Sequence, residues 1–198
     1  MNDPSFGWEG AAGRFAALRS DIGRNVVLHW ATHIPTGGAI LDVGCGTGLP
    51  VARALSDAGF SVHGVDPSPT LLAAFRRNVP GAFAAEEPAE TSRFFDRKFE
   101  GIAAIGLLFL LPEDRQGEVL LRIAKAMKAG GHLLFSAPEI PCHWDDSLTG
   151  RRSCSLGKAE YSRILTNAGC SVLGSYRDEG GNHYCHATRS EDQPFSGE

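Results

Sequence analysis

The stretch AILDVGCGTGLPVARAL, residues 39–55, restricts the fold more than any other part of this sequence. A short apolar strand, Ala39 to Val43, carries Asp42 near its end, and Gly44, Gly46 and Gly48 follow at alternate positions. A helical pattern then starts beside Pro50, a residue suited to a first turn, and stops at Gly59. Glycine adopts positive φ without steric cost and leaves room for a ligand against the main chain. The helix after such a turn offers unpaired N–H groups and a positive dipole end. Strand, glycine turn and helix together make a ligand cradle. The dinucleotide fingerprint G-x-G-x-x-G requires glycine at position 49, where this chain has Leu49.

The rest of the chain continues the alternation of strands and helices. SVHGV is a second strand, and SPTLLAAFRRN a second helix with Ser68 as its cap. GAFAA and GIAAI follow as third and fourth strands. Val119, Leu120, Ile123 and Met127 mark a helix closed by Gly130 and Gly131, and HLLFSA is a fifth strand. CSVLGSYRD and HYCHATR flank EGGN as an antiparallel hairpin. This order predicts an α/β fold, a Rossmann-like doubly wound sheet of seven strands, mostly parallel with a C-terminal antiparallel hairpin. Its ligand is expected beyond the carboxyl ends of the strands.

No internal repeat or low-complexity linker divides the 198 residues, so one domain over 1–190 is expected. Within it, 1–38 reads as a helical lid, with Phe15, Arg19 and Trp30 as possible contacts to a ligand. Residues 39–137 form the ligand-binding core, 138–157 an irregular loop, and 158–190 a helix and hairpin; 191–198 reads as a flexible tail. A net charge of −4 gives no electrostatic reason to expect a nucleic acid as partner. The longest apolar run, Ile102 to Leu111, is too short to span a bilayer. The N-terminus lacks a secretion signal, and the five cysteines form no CxxC pair. Reduced thiols in a cytoplasmic protein are the expectation.

In its motifs the chain resembles the class I S-adenosylmethionine-dependent methyltransferases. LDVGCGTG matches their first motif and VHGVDPSP the acidic end of strand two. GAFAAEEPAE, FEGIAAIGLLFLLP and MKAGGHLLFSAPE match strands three, four and five in order and spacing. The resemblance implies S-adenosyl-L-methionine as cofactor and S-adenosyl-L-homocysteine as its product. It places the cofactor's amino-acid end on Gly44, Cys45, Gly46 and Gly48, with Asp42 near the ammonium. Asp66 would accept from the ribose hydroxyls, since a carboxylate has two oxygens for two donors. Pro67 and Ser68 would lie along the adenine, Glu86 or Glu87 would accept its amino group, and Ile105, Gly106 and Leu107 would form the floor. Cys45 reads as a small filler, with nothing beside it to activate a thiol.

The acceptor side is less defined. EIPCHWDDSLTGRRSCSLG offers Trp144 and Arg151, and the terminal hairpin offers Tyr184, as contacts to a small-molecule substrate. By alternation His183 and Cys185 share one sheet face, and Tyr184 and His186 the other. His143 and His183 are candidate catalytic bases by residue type. Cys142, His143, His183, Cys185 and His186 match no zinc-ligand spacing, so no metal is expected. A thiol-rich acceptor site on Cys142, Cys154 and Cys185, as in arsenite-methylating relatives, is a weaker alternative than idle thiols. The run after strand four lacks the Asn-Pro-Pro-Tyr pattern of DNA amino-methyltransferases, and no basic, aromatic stripe follows RNA. A small-molecule methyltransferase is therefore expected. The rivals are a non-catalytic S-adenosylmethionine-binding module and an NAD(P)-dependent oxidoreductase. Oligomeric state is not legible.

Overall fold

The structure is a computed structural model and describes residues 3–191; the tail expected over 191–198 lies outside the described residues from 192 onward. Two N-terminal helices, α1 (Trp8–Leu18) and α2 (Arg24–Ala31), precede the first strand, β1 (Ala39–Val43). The chain then runs through α3 (Val51–Asp57), β2 (Ser61–Val65), α4 (Pro69–Asn78), β3 (Phe83–Ala85) and β4 (Phe99–Ala104). It continues with α5 (Glu113–Ala126), β5 (Met127–Ser136), β6 (Cys142–Asp145), β7 (Arg152–Ser155), α6 (Lys158–Asn167), β8 (Cys170–Arg177) and β9 (His183–Arg189).

Seven strands form one sheet in the order β3-β2-β1-β4-β5-β9-β8. β1 pairs parallel with β2 and β4, β4 with β5, and β2 with β3. β9 lies antiparallel between β5 and β8, so the C-terminal hairpin completes a doubly wound sheet. All five residues of β1 are buried, as a central strand covered on both faces requires. Leu41, Val43, Ile102, Leu133 and Phe135 meet α5 and α6 on one face. Ile40, Ala103 and Leu134 meet α2, α3 and α4 on the other.

Two expectations are corrected. Residues 138–157 are not irregular: β6 and β7 form an antiparallel ribbon, with Cys142 opposite Ser155 and Trp144 opposite Ser153. Asp146 makes the turn, its Oδ1 accepting from the amides of Leu148 (3.0 Å) and Thr149 (2.7 Å), while Gly150 takes φ +67°. Trp30 is not a lid contact. It is fully buried between α2 and the sheet, where its large apolar area packs with Val27 and Ile34.

Candidate functional site

The glycine turn closes the end of β1. Gly44, Gly46 and Gly48 have φ of +72°, +53° and +80°, a region that side chains with a Cβ rarely occupy. A Cβ on Gly48 would stand 2.7 Å from Val79, and one on Gly46 would stand 3.1 Å from the ring of Phe15. The turn is pinned to β2: the amides of Gly44 and Cys45 donate to the carbonyl of Val65 at 2.9 and 3.1 Å. Asp66 fastens it from the side, its Oδ2 accepting from Gly46 N and its Oδ1 from Ser68 N, each at 2.9 Å. Burial raises the Asp66 pKa and these two amides oppose the rise.

Asp42 differs from Asp66. It is 3% exposed and borders the cleft, and its carboxylate, unlike its main chain, accepts no hydrogen bond from any described residue. Burial, with the nearby charge of Asp66, pushes its pKa up to about 7, and Arg19 opposes the rise. Cys45 packs in the opposite sense. A Cβ on Gly64 would meet its sulfur at 2.7 Å, and burial raises the thiol well above its usual value. Its close packing and raised pKa match the expected small filler better than a nucleophile. Cys154 and Cys185 also have raised pKa values, both first through burial, the latter up to about 11.

The N-terminal segment forms the outer wall. Glu9 of α1 accepts from Thr70 N (3.2 Å) and Thr70 Oγ1 (2.5 Å) and bonds the hydroxyl of Ser68, which itself caps α4 at Leu71 N. Phe6, Trp8, Phe15 and Arg19 then face the glycine turn across the cleft. Arg19 donates to the carbonyl of Leu49 at 2.8 Å and lies 4.9 Å from the centroid of the Phe15 ring. The β6–β7 ribbon braces this segment: Arg14 donates to the carbonyl of Leu148, and Arg151 lies against Gly7.

Between these walls run two connected lobes. The inner lobe, of about 110 Å³, meets Asp66, Pro67, Leu107 and Glu90. The outer lobe, of about 470 Å³, extends from Asp42 and Cys45 past Phe109 to Trp144, Asn182, His183 and Tyr184. Phe15, Arg19, Gly44, Gly46, Ile105 and Gly106 border both. Gly106 is held by its amide, which donates to Ser136 Oγ at 2.8 Å.

Of the residues singled out in the sequence, Asp42, Gly44, Cys45, Gly46, Asp66, Pro67, Ile105, Gly106, Leu107, Trp144, His183 and Tyr184 border the cleft. Gly48 and Ser68 shape the turn and the α4 cap behind it. Glu86 is exposed, and Glu87 accepts from Ser92 Oγ (2.6 Å) and Arg93 N (3.1 Å); the acid from this loop that borders the inner lobe is Glu90. His143 is exposed beside Trp144, and Arg151 lies outside the lining of both lobes. Tyr184 donates to Asp178 Oδ2 at 2.8 Å; burial and that carboxylate raise its phenol far above its usual value. His183 Nδ1 stands 3.4 Å from Glu139 Oε2. Phe6, Trp8, Glu90, Phe109 and Asn182 were not foreseen as site residues, and only Glu90 was signalled by the acid cluster after strand three. Among the described residues no group of histidines, cysteines and acids is arranged to hold a metal ion, and no helix is long and apolar enough to cross a membrane.

A doubly wound sheet with a glycine turn at β1, an acid at the end of β2 and a cleft over the strand ends defines a nucleotide-cofactor protein of the methyltransferase type. The chain belongs to the methyltransferase-domain family, whose model matches residues 13–174. No protein of curated function matches it in sequence. Its fold is shared with the CcbJ methyltransferase from Streptomyces caelestis (TM-score 0.74, 17% identity), over 96% of this chain and 100% of that one. It is shared equally with a putative methyltransferase of Haloferax volcanii, solved in complex with the Trm112 methyltransferase activator (0.75, 17%, 96% and 99%). A third is 1,6-didemethyltoxoflavin-N1-methyltransferase from Burkholderia thailandensis, with 1,6-didemethyltoxoflavin and S-adenosylhomocysteine bound (0.69, 20%, 84% and 77%).

Proposed function

We propose that this protein is a cytoplasmic methyltransferase that uses S-adenosyl-L-methionine to methylate a small molecule, with neither nucleic acid nor membrane as its substrate. The observation that carries the reading is Asp42: a carboxylate 3% exposed, at the cleft, with no hydrogen-bond donor of its own. A buried acid in that state is costly unless a cation meets it, and the cofactor's ammonium is such a cation. The remaining residues fit the same ligand. Gly44 and Gly46 clear the approach to the main chain, and Asp66 retains lone pairs for ribose hydroxyls after accepting two amides. Pro67 and Leu107 border the inner lobe where an adenine would lie, with Glu90 rather than Glu86 or Glu87 beside it. Arg19, over the joint of the two lobes, suits the cofactor's carboxylate.

When bound, the cofactor supplies a sulfonium methyl group open to in-line attack. The chain's own contribution is alignment: Phe6, Trp8, Phe15 and Arg19 from the N-terminal segment, with Trp144 of the β6–β7 ribbon, line the cleft in which donor and acceptor would meet. Of the lid expected over 1–38, we assign only the part from Pro4 to Ile22 to the cleft wall, since α2 packs on the sheet; 39–137 is the cofactor core, and 138–157 with the start of β9 the acceptor side of one domain. Calorimetry of the purified protein with S-adenosylhomocysteine, and with NAD as parallel titrant, tests the assignment. Saturable binding of the first and none of the second is expected. Binding of NAD alone would favour a nicotinamide enzyme. Binding of S-adenosylhomocysteine with no methyl transfer to any acceptor would favour a non-catalytic module.

A further inference from the structure

Four histidines meet where α2 lies on the sheet, and none of them borders the cleft. His29 is on α2 and His33 one turn further on, while His132 comes from β5 and His186 from β9. The centroid of the His33 ring is 4.9 Å from that of His186 and 5.4 Å from that of His132, and the last two are 5.2 Å apart. His29 lies 6.3 Å from His33 and meets Tyr176 of β8 edge-on at 5.4 Å. His29 and His33 are exposed, His132 is half-buried and His186 is buried.

Hydrogen bonding limits how many protons this seam can carry. His186 Nε2 is 3.0 Å from His132 Nδ1, and its Nδ1 is 2.9 Å from Tyr176 Oη. One proton between Nε2 and Nδ1 makes a hydrogen bond; a proton on each sets two N–H groups against one another. The carboxylates on the surrounding elements are engaged elsewhere. Glu100 of β4 holds Lys128 of β5 and the amide of Ala39, and Asp178 after β8 holds Asn182 and Tyr184. The remaining charges there are cations: Arg24 at the start of α2, Arg177 of β8 and Arg189 of β9, the latter two reaching the carbonyls of Gly181 and Met127. The charges that act on His186 are those of His132, His33 and His29.

The same helix seats the outer wall of the cleft. Val27 and Trp30 fix α2 on the sheet. Residues 19–23 join it to α1, and of these Arg19 borders both lobes while Ser20 and Ile22 border the outer one. Gly23 rests so closely on the hydroxyl of Tyr184 that a Cβ there would stand 2.3 Å from it. A displacement of α2 is thereby passed to this wall.

We propose that the seam of His29, His33, His132 and His186 is an acid-operated latch: a second proton on it lifts α2 from the sheet, and the wall over the cleft loosens with it. The device goes beyond methyl transfer and holds whatever ligand the cleft takes. Its sign follows from linkage. Burial, and then the three neighbouring imidazoles, lower the His186 pKa to about 4 in the closed protein. Once α2 has lifted, the ring regains a pKa near 6.5, so the lifted state takes up the proton more readily and gains as pH falls. From pH 7.5 to 5.5 one such histidine favours lifting by about tenfold.

Hydrogen exchange of the ligand-free protein, corrected for the intrinsic effect of pH, reads the lift. Between pH 7.5 and 5.5 the amides over 28–31 should lose protection by about tenfold, those of α1 should follow, and those of β1 should keep theirs. His186→Gln should reduce the change to less than about twofold. His33→Glu, at an exposed position, supplies the missing carboxylate and should also abolish the loss. Asp42→Asn should still show the full effect, which separates the latch from the acid in the cleft. Unchanged protection of α2 at pH 5.5, an equal loss in His33→Glu, or a loss shared by β1 would each overturn the proposal. No ligand enters the measurement, so its failure is distinct from a failure of the methyltransferase reading, which S-adenosylhomocysteine titration tests.

Discussion

Asp42 and His186 stand on one rung of the sheet, and the contrast between them separates a place built for a ligand from a place built for the fold. Register links Asp42 to Ala103, Ala103 to Leu134 and Leu134 to His186 across β1, β4, β5 and β9. In-register residues share a face, here the one covered by α2. Both side chains are nearly closed to solvent, at 3% and 2% exposure. Their partners differ completely. His186 Nδ1 meets Tyr176 Oη at 2.9 Å and its Nε2 meets His132 Nδ1 at 3.0 Å. With Tyr176 donating to Nδ1 and the Nε2 proton donated to His132, a neutral imidazole satisfies both nitrogens. His33 packs beside it with ring centroids 4.9 Å apart, and His29 stacks edge-on against Tyr176. Asp42 has no such donors. A polar group whose demands are met inside the chain belongs to the architecture; one left unmet at a cleft awaits something from outside.

Replacing each residue tests that contrast. Asp42→Asn keeps the shape and removes the charge, so the fold should persist while S-adenosylhomocysteine affinity falls by about 10- to 100-fold, the range of a lost charged hydrogen bond. Unchanged affinity in calorimetry would make Asp42 a strand-end residue and collapse the comparison. His186→Leu should act in the opposite way. Affinity stays near wild type, while the melting temperature falls by about 4 to 8 °C because Tyr176 and His132 lose their partner. A large loss of affinity with no change in melting would place His186 in the site.

Acid sharpens the difference. Burial, and then the neighbouring His132, His33 and His29, lower the His186 pKa to about 4. The folded state resists a proton that the unfolded chain accepts near its usual value of 6.5, so this contribution to stability is complete above that pH and is lost as pH falls towards 4. Asp42 has the reverse sign. Its raised pKa means the folded protein without ligand binds the proton more readily, so its charge penalty is relieved as pH falls below about 7. Melting curves of the two variants against pH should therefore depart from wild type in opposite directions.

Glu9 gives the smallest effect and the finest distinction. It is an acid just behind the cleft wall, on the helix that carries Trp8 and Phe15, and Ser68 and Thr70 meet its carboxylate and hold its pKa below the usual value. Glu9→Gln should leave the fold intact and speed release of S-adenosylhomocysteine by about two- to five-fold, as α1 loses one contact to the start of α4. An effect as large as that of Asp42→Asn would show that a satisfied carboxylate matters as much as an unsatisfied one.

The sequence carried the cofactor half of this picture because its parts are local. Asp42, the three glycines, Asp66 and the Ser68 cap fall within 27 consecutive residues, 42–68, and one strand–turn–helix–strand unit fixes their geometry. The remaining walls of the cleft depend on distant segments. Phe6 and Trp8 reach the cleft because Glu9 docks α1 on α4, while Phe109 and Asn182 arrive from loops more than seventy residues apart. No periodicity encodes such meetings. The ribbon over 138–157 was missed because its strands are four residues each and its turn depends on the side chain of Asp146. Trp30 illustrates the limit of pattern reading: helical spacing marked an apolar face, and only the packing shows that this face meets the sheet rather than the cleft.

The most direct test of the account is the proton released when S-adenosylhomocysteine binds. Asp42 is half protonated near pH 7 in the free protein, and an arriving ammonium should drive that proton off. Calorimetry at about pH 6.5 in buffers of different ionisation enthalpy should show more than half a proton released per ligand, falling towards zero by about pH 8.5 and absent in Asp42→Asn. Release that is the same in wild type and Asp42→Asn, or absent from both, would contradict the claim that this buried carboxylate is held in place for a cationic ligand.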